Sequence, residues 1–267
     1  MIIAIDTGGT KTLAGRFDDD GQLSTPLSMP TPKDVDSYLK AITGAIHQLS
    51  DGLPISTISL ALPGVIHEGV AVHCINLGWR NIPIKSRLQM LFPEAKIRVE
   101  NDANLAGLAS MRRLETLPAC GLYITLGTGV GTSLILGGHL HDSLRDCEGG
   151  HMMLYFDGKP ASWEEIASGR VIQSLFGELS DQTPDEAWPE IARRIAAGLG
   201  PLVAFVQPEA VVIGGSVGAY TAKFASLLSG MLAENLPSLI AVPRIVAAPH
   251  PHQTVLYGCY DYATDGA

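Results

Sequence analysis

Three short stretches set glycine beside hydroxyl or charged side chains at the ends of apolar runs. They are Asp6-Thr7-Gly8-Gly9-Thr10-Lys11, Gly127-Thr128-Gly129-Val130-Gly131 and Gly214-Gly215. Glycine leaves backbone N–H groups open to close approach by an anion. Thr7, Thr10 and Thr128 add hydroxyl donors, and Lys11 adds a positive charge. One such turn is only a turn, but three at matching strand ends predict a cradle for a nucleotide triphosphate. Neither Gly-x-x-x-x-Gly-Lys-Ser/Thr nor a helix-opening Gly-x-Gly-x-x-Gly occurs, so two commoner phosphate motifs are excluded. Asp6 would repel bare phosphate. It suits Mg²⁺ held directly or through water; the plainer reading is a turn aspartate capping local backbone.

A second set of residues suits polyol chemistry. In Glu100-Asn101-Asp102-Ala103-Asn104, Asp102 stands where an N-cap would stand. The same carboxylate can take the proton of an attacking hydroxyl, while Asn101 both donates and accepts, and the two roles are compatible. Glu148-Gly149-Gly150-His151 brings an acceptor and a switchable donor together. Glu164 and Glu165 open a helix, where a dipole-favoured acid is the plain explanation. His139 and His141 read as structural. Prolines hold Pro249-His250-Pro251-His252 extended, and it is not read as a metal site.

These groups need strands and helices to position them. Apolar runs bounded by Gly, Pro and Asp predict strands over residues 2–5, 12–17, 58–62, 96–99, 122–126, 132–136 and 210–213. Helical spacing predicts helices over residues 35–49, 102–114, 188–206 and 221–236. The segment Ile3-Ala4-Ile5-Asp6-Thr7-Gly8-Gly9-Thr10 is echoed by Tyr123-Ile124-Thr125-Leu126-Gly127-Thr128-Gly129. Such an echo predicts two related α/β halves facing each other across a cleft.

Composition narrows the class. The chain has 267 residues, with 18 Lys and Arg against 27 Asp and Glu, a net charge of −9. That balance argues against nucleic acid or an anionic membrane as partner, since phosphate-rich surfaces select basic patches. Hydrophobic residues at 46% with charged residues at 17% exclude disorder. Cys74, Cys120, Cys147 and Cys259 stand far apart, without a Cys-x-x-Cys pair. No leader-like N-terminus and no apolar window long enough to span a bilayer are present, so a cytoplasmic protein without a membrane partner is expected.

Taken in order, the motifs resemble those of the ROK family, bacterial sugar kinases with some related repressors. Asp6-Thr7-Gly8-Gly9-Thr10-Lys11 is similar to the family's first phosphate loop, and Thr125-Leu126-Gly127-Thr128-Gly129-Val130-Gly131 to its second. Glu100-Asn101-Asp102-Ala103-Asn104 is similar to its catalytic segment and Glu148-x-Gly150-His151 to its sugar motif. Val212-Ile213-Gly214-Gly215 is similar to its nucleotide-side glycines, and Asn76-Leu77-Gly78-Trp79 to its sugar-side loop. The resemblance implies an α/β, two-domain actin/hexokinase-type (duplicated ribonuclease-H-like) fold with an interdomain cleft. It implies a small domain over 1–101, completed by a C-terminal helix at about 254–267, and a larger domain over 102–253.

By the same resemblance Asp102 is the general base. Asn76, Asn101, Asp102, Glu148, His151 and Glu164 are sugar ligands, with Gly64 shaping the pocket near the sugar's 2-position. Glu164 is preferred to Glu165 because Glu164 to Gly169 falls in register with the family's Glu-x-x-x-Ser-Gly stretch. Asp6, Gly8, Gly9, Thr10, Lys11, Thr128, Gly129, Gly131, Gly214 and Gly215 hold ATP, with Mg²⁺ at Asp6. Most members carry a zinc-binding Cys-x-Cys-Gly-x-x-Gly-Cys between the His and the last Glu. Here that interval, residues 152–163, contains no cysteine, and no structural zinc is expected. The implied activity is phosphorylation of a hexose 6-hydroxyl by ATP, with glucose favoured. The alternatives are an N-acetylmannosamine or N-acetylglucosamine kinase, a polyphosphate-dependent glucokinase, a non-catalytic sugar sensor or a repressor. Sugar and ATP are the expected partners, and a homodimer the expected assembly.

Overall fold

The computed structural model describes residues 1–250 and 253–265. The chain forms two compact units, one of residues from Met1 to Ala109 with the C-terminal stretch from Gln253, the other of the residues from Ser110 onward between them. Pro251 and His252 of the Pro-His repeat lie outside the described residues.

The first unit contains β1 (Ile2–Thr7), β2 (Lys11–Phe17), β3 (Leu27–Pro30), α1 (Val35–Ser50), β4 (Thr57–Leu62), β5 (Val65–His67), β6 (Val70–Cys74), β7 (Trp79–Ile82), α2 (Ile84–Leu91), β8 (Lys96–Asn101) and most of α3 (Asp102–Arg112). Its main sheet has the order β3-β2-β1-β4-β8, and β5-β6-β7 form a small second sheet. β1 runs antiparallel to β2, from Ile2 opposite Phe17 to Thr7 opposite Thr12, and parallel to β4. β4 is buried along its whole length between two parallel-paired strands, with Ile58, Leu60 and Leu62 on one face and the smaller Thr57, Ser59 and Ala61 on the other. α1 is capped by Asp34, which accepts from the Ser37 N–H at 2.8 Å, and buries Leu39, Ile42, Ile46 and Leu49 in a core shared with Ile3, Ile5, Ile58 and Leu60.

The C-terminal helix, Thr254–Thr264, packs on β1 and β4. Its Cys259 thiol donates to the Ile5 carbonyl at 3.6 Å. At Gly258 an added Cβ would fall 2.0 Å from the Leu105 carbonyl, so glycine is what lets this helix reach the backbone of α3. That contact holds the first turns of α3 in the first unit, and the division between the units falls after Ala109.

The second unit contains β9 (Cys120–Leu126), β10 (Val130–Leu136), β11 (His139–Leu140), β12 (Met153–Phe156), β13 (Lys159–Ser162), α4 (Trp163–Ala167), α5 (Gly169–Phe176), α6 (Ala187–Val206), β14 (Ala210–Gly214), α7 (Gly215–Gly218), α8 (Thr221–Asn235) and β15 (Arg244–Ala247). Its sheet order is β11-β10-β9-β14-β15, with β12 and β13 forming a separate hairpin. β9 is antiparallel to β10 and parallel to β14, which is parallel to β15. The two main sheets thus share one pattern, three antiparallel strands followed by two parallel ones, and the echoed segments occupy the equivalent strands β1 and β9. No described helix is long and apolar enough to cross a membrane.

Two loop readings are corrected by the ladders. β10 begins at Val130, and Gly131 pairs with Thr125 as a strand residue, so the second turn is only Gly127-Thr128-Gly129. Lys11 likewise opens β2 and lies opposite Pro30.

Candidate active site

In the first unit the expected residues form a connected chain of contacts. β1 delivers Asp6 and Thr7 to the turn Gly8-Gly9-Thr10, where the Gly8 N–H donates to the Lys11 carbonyl at 2.9 Å. The Asp6 carboxylate takes no hydrogen bond from any described residue. Burial pushes its carboxyl up to about 6, with the Lys11 charge pulling the other way. The Tyr38 hydroxyl shares a 2.7 Å hydrogen bond with Thr7 Oγ1, and burial raises its pKa, with the Asp6 charge adding to the rise. Burial and the same charge push the Cys259 thiol to about 12. A desolvated carboxylate without a donor, beside glycine amides, fits a cation carried in by phosphates, since such Mg²⁺ ions use one or two carboxylates and keep waters. Among the described residues no group of three or more His, Cys, Asp and Glu stands together as a metal cage.

Asn76 lies directly on this turn: a Cβ at Gly9 would be 3.3 Å from Asn76 Cβ. The exposed Lys33 ammonium donates to the carbonyls of both Gly9 and Asn76, and the Lys33 carbonyl accepts from Trp79 Nε1 at 2.7 Å. Lys33 therefore straps the Gly8-Gly9-Thr10 turn to the loop of Asn76. Sequence reasoning passed over it, because no motif surrounds it and its two acceptors are backbone atoms remote in the chain.

The cap of α3 is Asn101. Asn101 Oδ1 accepts from the Asn104 N–H at 3.1 Å, while Nδ2 donates to the Gly64 carbonyl at 2.9 Å. Asp102 is instead the first helical residue, accepting from its neighbour Ala103 N–H at 2.8 Å. The sequence reading of Asp102 as the cap is corrected, because a cap accepts from the third residue beyond it and only Asn101 stands at that offset. Glu100 is buried under the segment and accepts from the Asn101 N–H at 2.8 Å and Asn104 Nδ2 at 3.0 Å. Gly64 has φ +100°, and a Cβ there would meet the His73 carbonyl at 2.3 Å. After burial, the Asp102 charge is what lifts the Cys74 thiol to about 12, which places Asp102 near the strand that leads into Asn76.

In the second unit Glu148, His151 and Glu164 form another cluster. Gly149–His151 is a single 3-10 turn, closed by the His151 N–H donating to the Glu148 carbonyl at 3.1 Å. Thr132 Oγ1 supports it, accepting from the Gly149 N–H at 2.9 Å and donating to the Cys147 carbonyl at 3.1 Å. Partial desolvation raises the Glu148 carboxyl; His151 opposes this, and the charges of Asp146 and Glu164 add to it. At the start of α4, Glu165 belongs to a capping box with Ser162. Glu164 instead accepts from the Val130 N–H at 3.0 Å, and a Cβ at Gly129 would fall 2.1 Å from its Oε2. Glu164 thus touches the Gly127-Thr128-Gly129 turn. Gly127 carries the same turn toward α5, its carbonyl accepting from the Arg170 N–H at 3.1 Å. Gly215, with φ +78°, packs on the Leu126 backbone, and Gly214 on the Tyr123 hydroxyl. Thr128 is exposed at the turn, and Gly131 lies in β10.

These loops stand in one order along nearly the whole chain, and the ROK family model matches residues 2–265. The chain belongs to the ROK family. This ROK protein is 30% identical to N-acetylmannosamine kinase of Shigella flexneri, over 96% of each chain. It is 26% identical to glucokinase of Streptomyces coelicolor, over 81% of this chain and 82% of the relative. The solved ROK glucokinase of Streptomyces griseus, in complex with glucose and AMPPNP, matches at a TM-score of 0.82 with 24% identity over 99% of each chain. The fold is that of the two-domain actin/hexokinase type.

Proposed function

We propose that this ROK sugar kinase transfers the γ-phosphate of ATP to the 6-hydroxyl of a hexose, glucose first, with Asp102 as general base. The observation that carries the reading is the division of labour at α3. Asn101 takes the cap and the Gly64 contact, and Asp102 stands beside it as the first residue of the helix, its Oδ1 accepting from the Ala103 N–H. A carboxylate there can accept the hydroxyl proton as the sugar oxygen attacks the γ-phosphorus in line.

The Gly8-Gly9-Thr10 and Gly127-Thr128-Gly129 turns, Lys11 and Gly214-Gly215 would cradle the phosphates. Asp6 would hold Mg²⁺, which when bound supplies neutralisation of phosphate charge. Asn76, Asn101, Glu148, His151 and Glu164 would hold the sugar hydroxyls, with Gly64 keeping the wall near the 2-position thin. Phosphoryl transfer depends mostly on such positioning and charge stabilisation. Family resemblance supports a homodimer acting in the cytoplasm.

A second substrate, N-acetylmannosamine, is favoured by the 30% identity to the Shigella enzyme over 96% of both chains. An ADP-release assay with Mg-ATP across glucose, mannose, N-acetylglucosamine and N-acetylmannosamine separates the two. Asp102→Asn should lose at least ~10²-fold in turnover on the accepted sugar, with its thermal transition kept. Near wild-type turnover in the folded variant would remove Asp102 from the role, and no turnover on any sugar would overturn the kinase reading.

A further inference from the structure

His151 and Glu164 are joined by a ribbon whose one contact assigned above is the Ser162 cap on α4. The chain leaves His151 along β12, turns at Asp157-Gly158 and returns along β13, with Met153 opposite Ser162 and Phe156 opposite Lys159. Both turn residues have positive φ, +50° and +78°, the Asp-Gly arrangement whose twist suits a two-residue hairpin. The Trp163 N–H donates to the Met152 carbonyl at 3.0 Å and closes the base of the ribbon. An isolated two-stranded ribbon is marginal in water, and one anchored only at its base can swing as a lever. Any swing would move His151 and Glu164, which stand at its two feet.

Leu154, Phe156 and Ala161 of the ribbon pack partly buried against the core of the second unit, and helix α6 supplies the polar anchors. Arg193 Nη1 and Nη2 donate to Asp157 Oδ1 and Oδ2 at 3.0 and 3.1 Å, a fork-on-fork pair at the ribbon's tip. The Nε and Nη2 of the same guanidinium donate to Glu190 at 2.6 and 2.9 Å, which fixes the fork's direction. Its carbon lies 4.2 Å from the Phe156 ring centroid. One helical position on, Arg194 Nη1 donates to the Ile166 carbonyl at 3.0 Å, and the Arg194 carbonyl accepts from Trp163 Nε1 at 3.3 Å. A Cβ at Gly198 would fall 2.1 Å from the Trp163 ring, so glycine there lets α4 settle onto α6. One helix thus holds the tip of the ribbon and the helix that carries Glu164.

We propose that Arg193 is a positioning residue for the sugar side: its fork on Asp157 fixes the hairpin to α6 and so sets the spacing of His151 from Glu164. This rests on the sugar-kinase reading. The clamp joins a polar side chain of α6 to a hairpin lying in the interval, residues 152–163, that carries no cysteine. Exposed ion pairs contribute little to global stability, and Arg193 and Asp157 are 42% and 59% exposed. The readout is therefore position rather than melting.

The test compares wild type with Arg193→Ala, Asp157→Asn and Arg193→Lys. In each, KM for sugar and for ATP is measured separately, the thermal transition is recorded, and the His151 ring resonance, assigned by its loss in His151→Asn, is followed by NMR. Arg193→Ala and Asp157→Asn should raise the sugar KM roughly tenfold, leave the ATP KM within about twofold, and shift the His151 resonance. Arg193→Lys, which keeps the charge but not the fork, should fall between them and wild type. An unchanged sugar KM, or equal rises in both KM values, would overturn the clamp. If wild type turns over no sugar, the kinase reading fails by itself. The clamp is then judged on the His151 resonance alone, and a spectrum of Arg193→Ala superimposable on wild type overturns it.

Discussion

Asp6 stands in the fold in a state that favours its neutral form. Its carboxyl titrates at about 6 rather than 3.8, because it is desolvated and Lys11 only partly compensates. Between those two values the folded chain holds a proton that the unfolded chain has released. Stability therefore falls as pH rises from about 4 to 6 and stays lower above that range. Asp6→Asn removes this penalty. It should raise the unfolding free energy at pH 7.5 by up to about 3 kcal/mol, with the gain vanishing near pH 4. The same variant should lose turnover, because the group that would hold the cation is gone. In the wild type, kcat/KM for ATP should drop as pH falls through 6. Urea unfolding of both proteins at the two pH values decides the stability claim; a variant less stable than wild type at pH 7.5 would show that Asp6 already has a favourable partner in the empty protein. Such a cost at a binding residue is expected where a ligand supplies the missing charge.

At the scale of elements, the sequence was most legible where one physical signal dominated. β1 and β14 carry apolar runs in the buried middle of their sheets, β4 sets Ile58, Leu60 and Leu62 against small residues, and α1 shows its buried stripe at Leu39, Ile42, Ile46 and Leu49. The short strands β5 to β7 and β15 were not legible: three to five residues give too few alternations to read a period. The candidate site residues were visible as motifs, but their partners were not. Nothing local in the sequence links Glu164 to Val130 or Lys33 to Asn76, since both contacts depend on tertiary placement. The turn after β9 tests this distinction. Gly127 faces open space, whereas a Cβ at Gly129 would displace the Glu164 carboxylate from the Val130 N–H. Gly127→Ala should change unfolding free energy by less than about 0.5 kcal/mol, while Gly129→Ala should cost about 1.5–3 kcal/mol, as expected for losing a hydrogen bond to a charged group. Equal urea midpoints for the two alanine variants would mean that Glu164 does not anchor the turn.

For the whole molecule, the shared sheet pattern hides an asymmetry in how the chain closes each unit. The second unit is one continuous stretch, but the first takes its N-terminal strands and a helix from the far end of the sequence. That helix is structural for the first unit. Leu256, Cys259 and Ala263 are buried, Phe17 packs against the rings of Tyr257 and Tyr260, and Gly258 sits on Leu105. Arg98 Nη2 ties its end to β8 by donating to the Asp265 carbonyl at 2.7 Å. Because β1 and α3 carry Asp6 and Asp102, this C-terminal helix completes the frame that holds both residues. A chain ending at His250 should lose the cooperative unfolding of the first unit, since several large side chains would pass from core to water at roughly 1.5–3 kcal/mol each. The second unit keeps all its own elements and should still protect its backbone amides. Hydrogen exchange read by mass spectrometry on the truncated chain distinguishes the units directly. Fast exchange should appear in β1, β2 and β4, with protection retained in β9 and β14. Full protection of β1 in the truncated chain would mean that the sheet needs no cover from the C-terminal helix, and that the duplicated halves are closed in the same way.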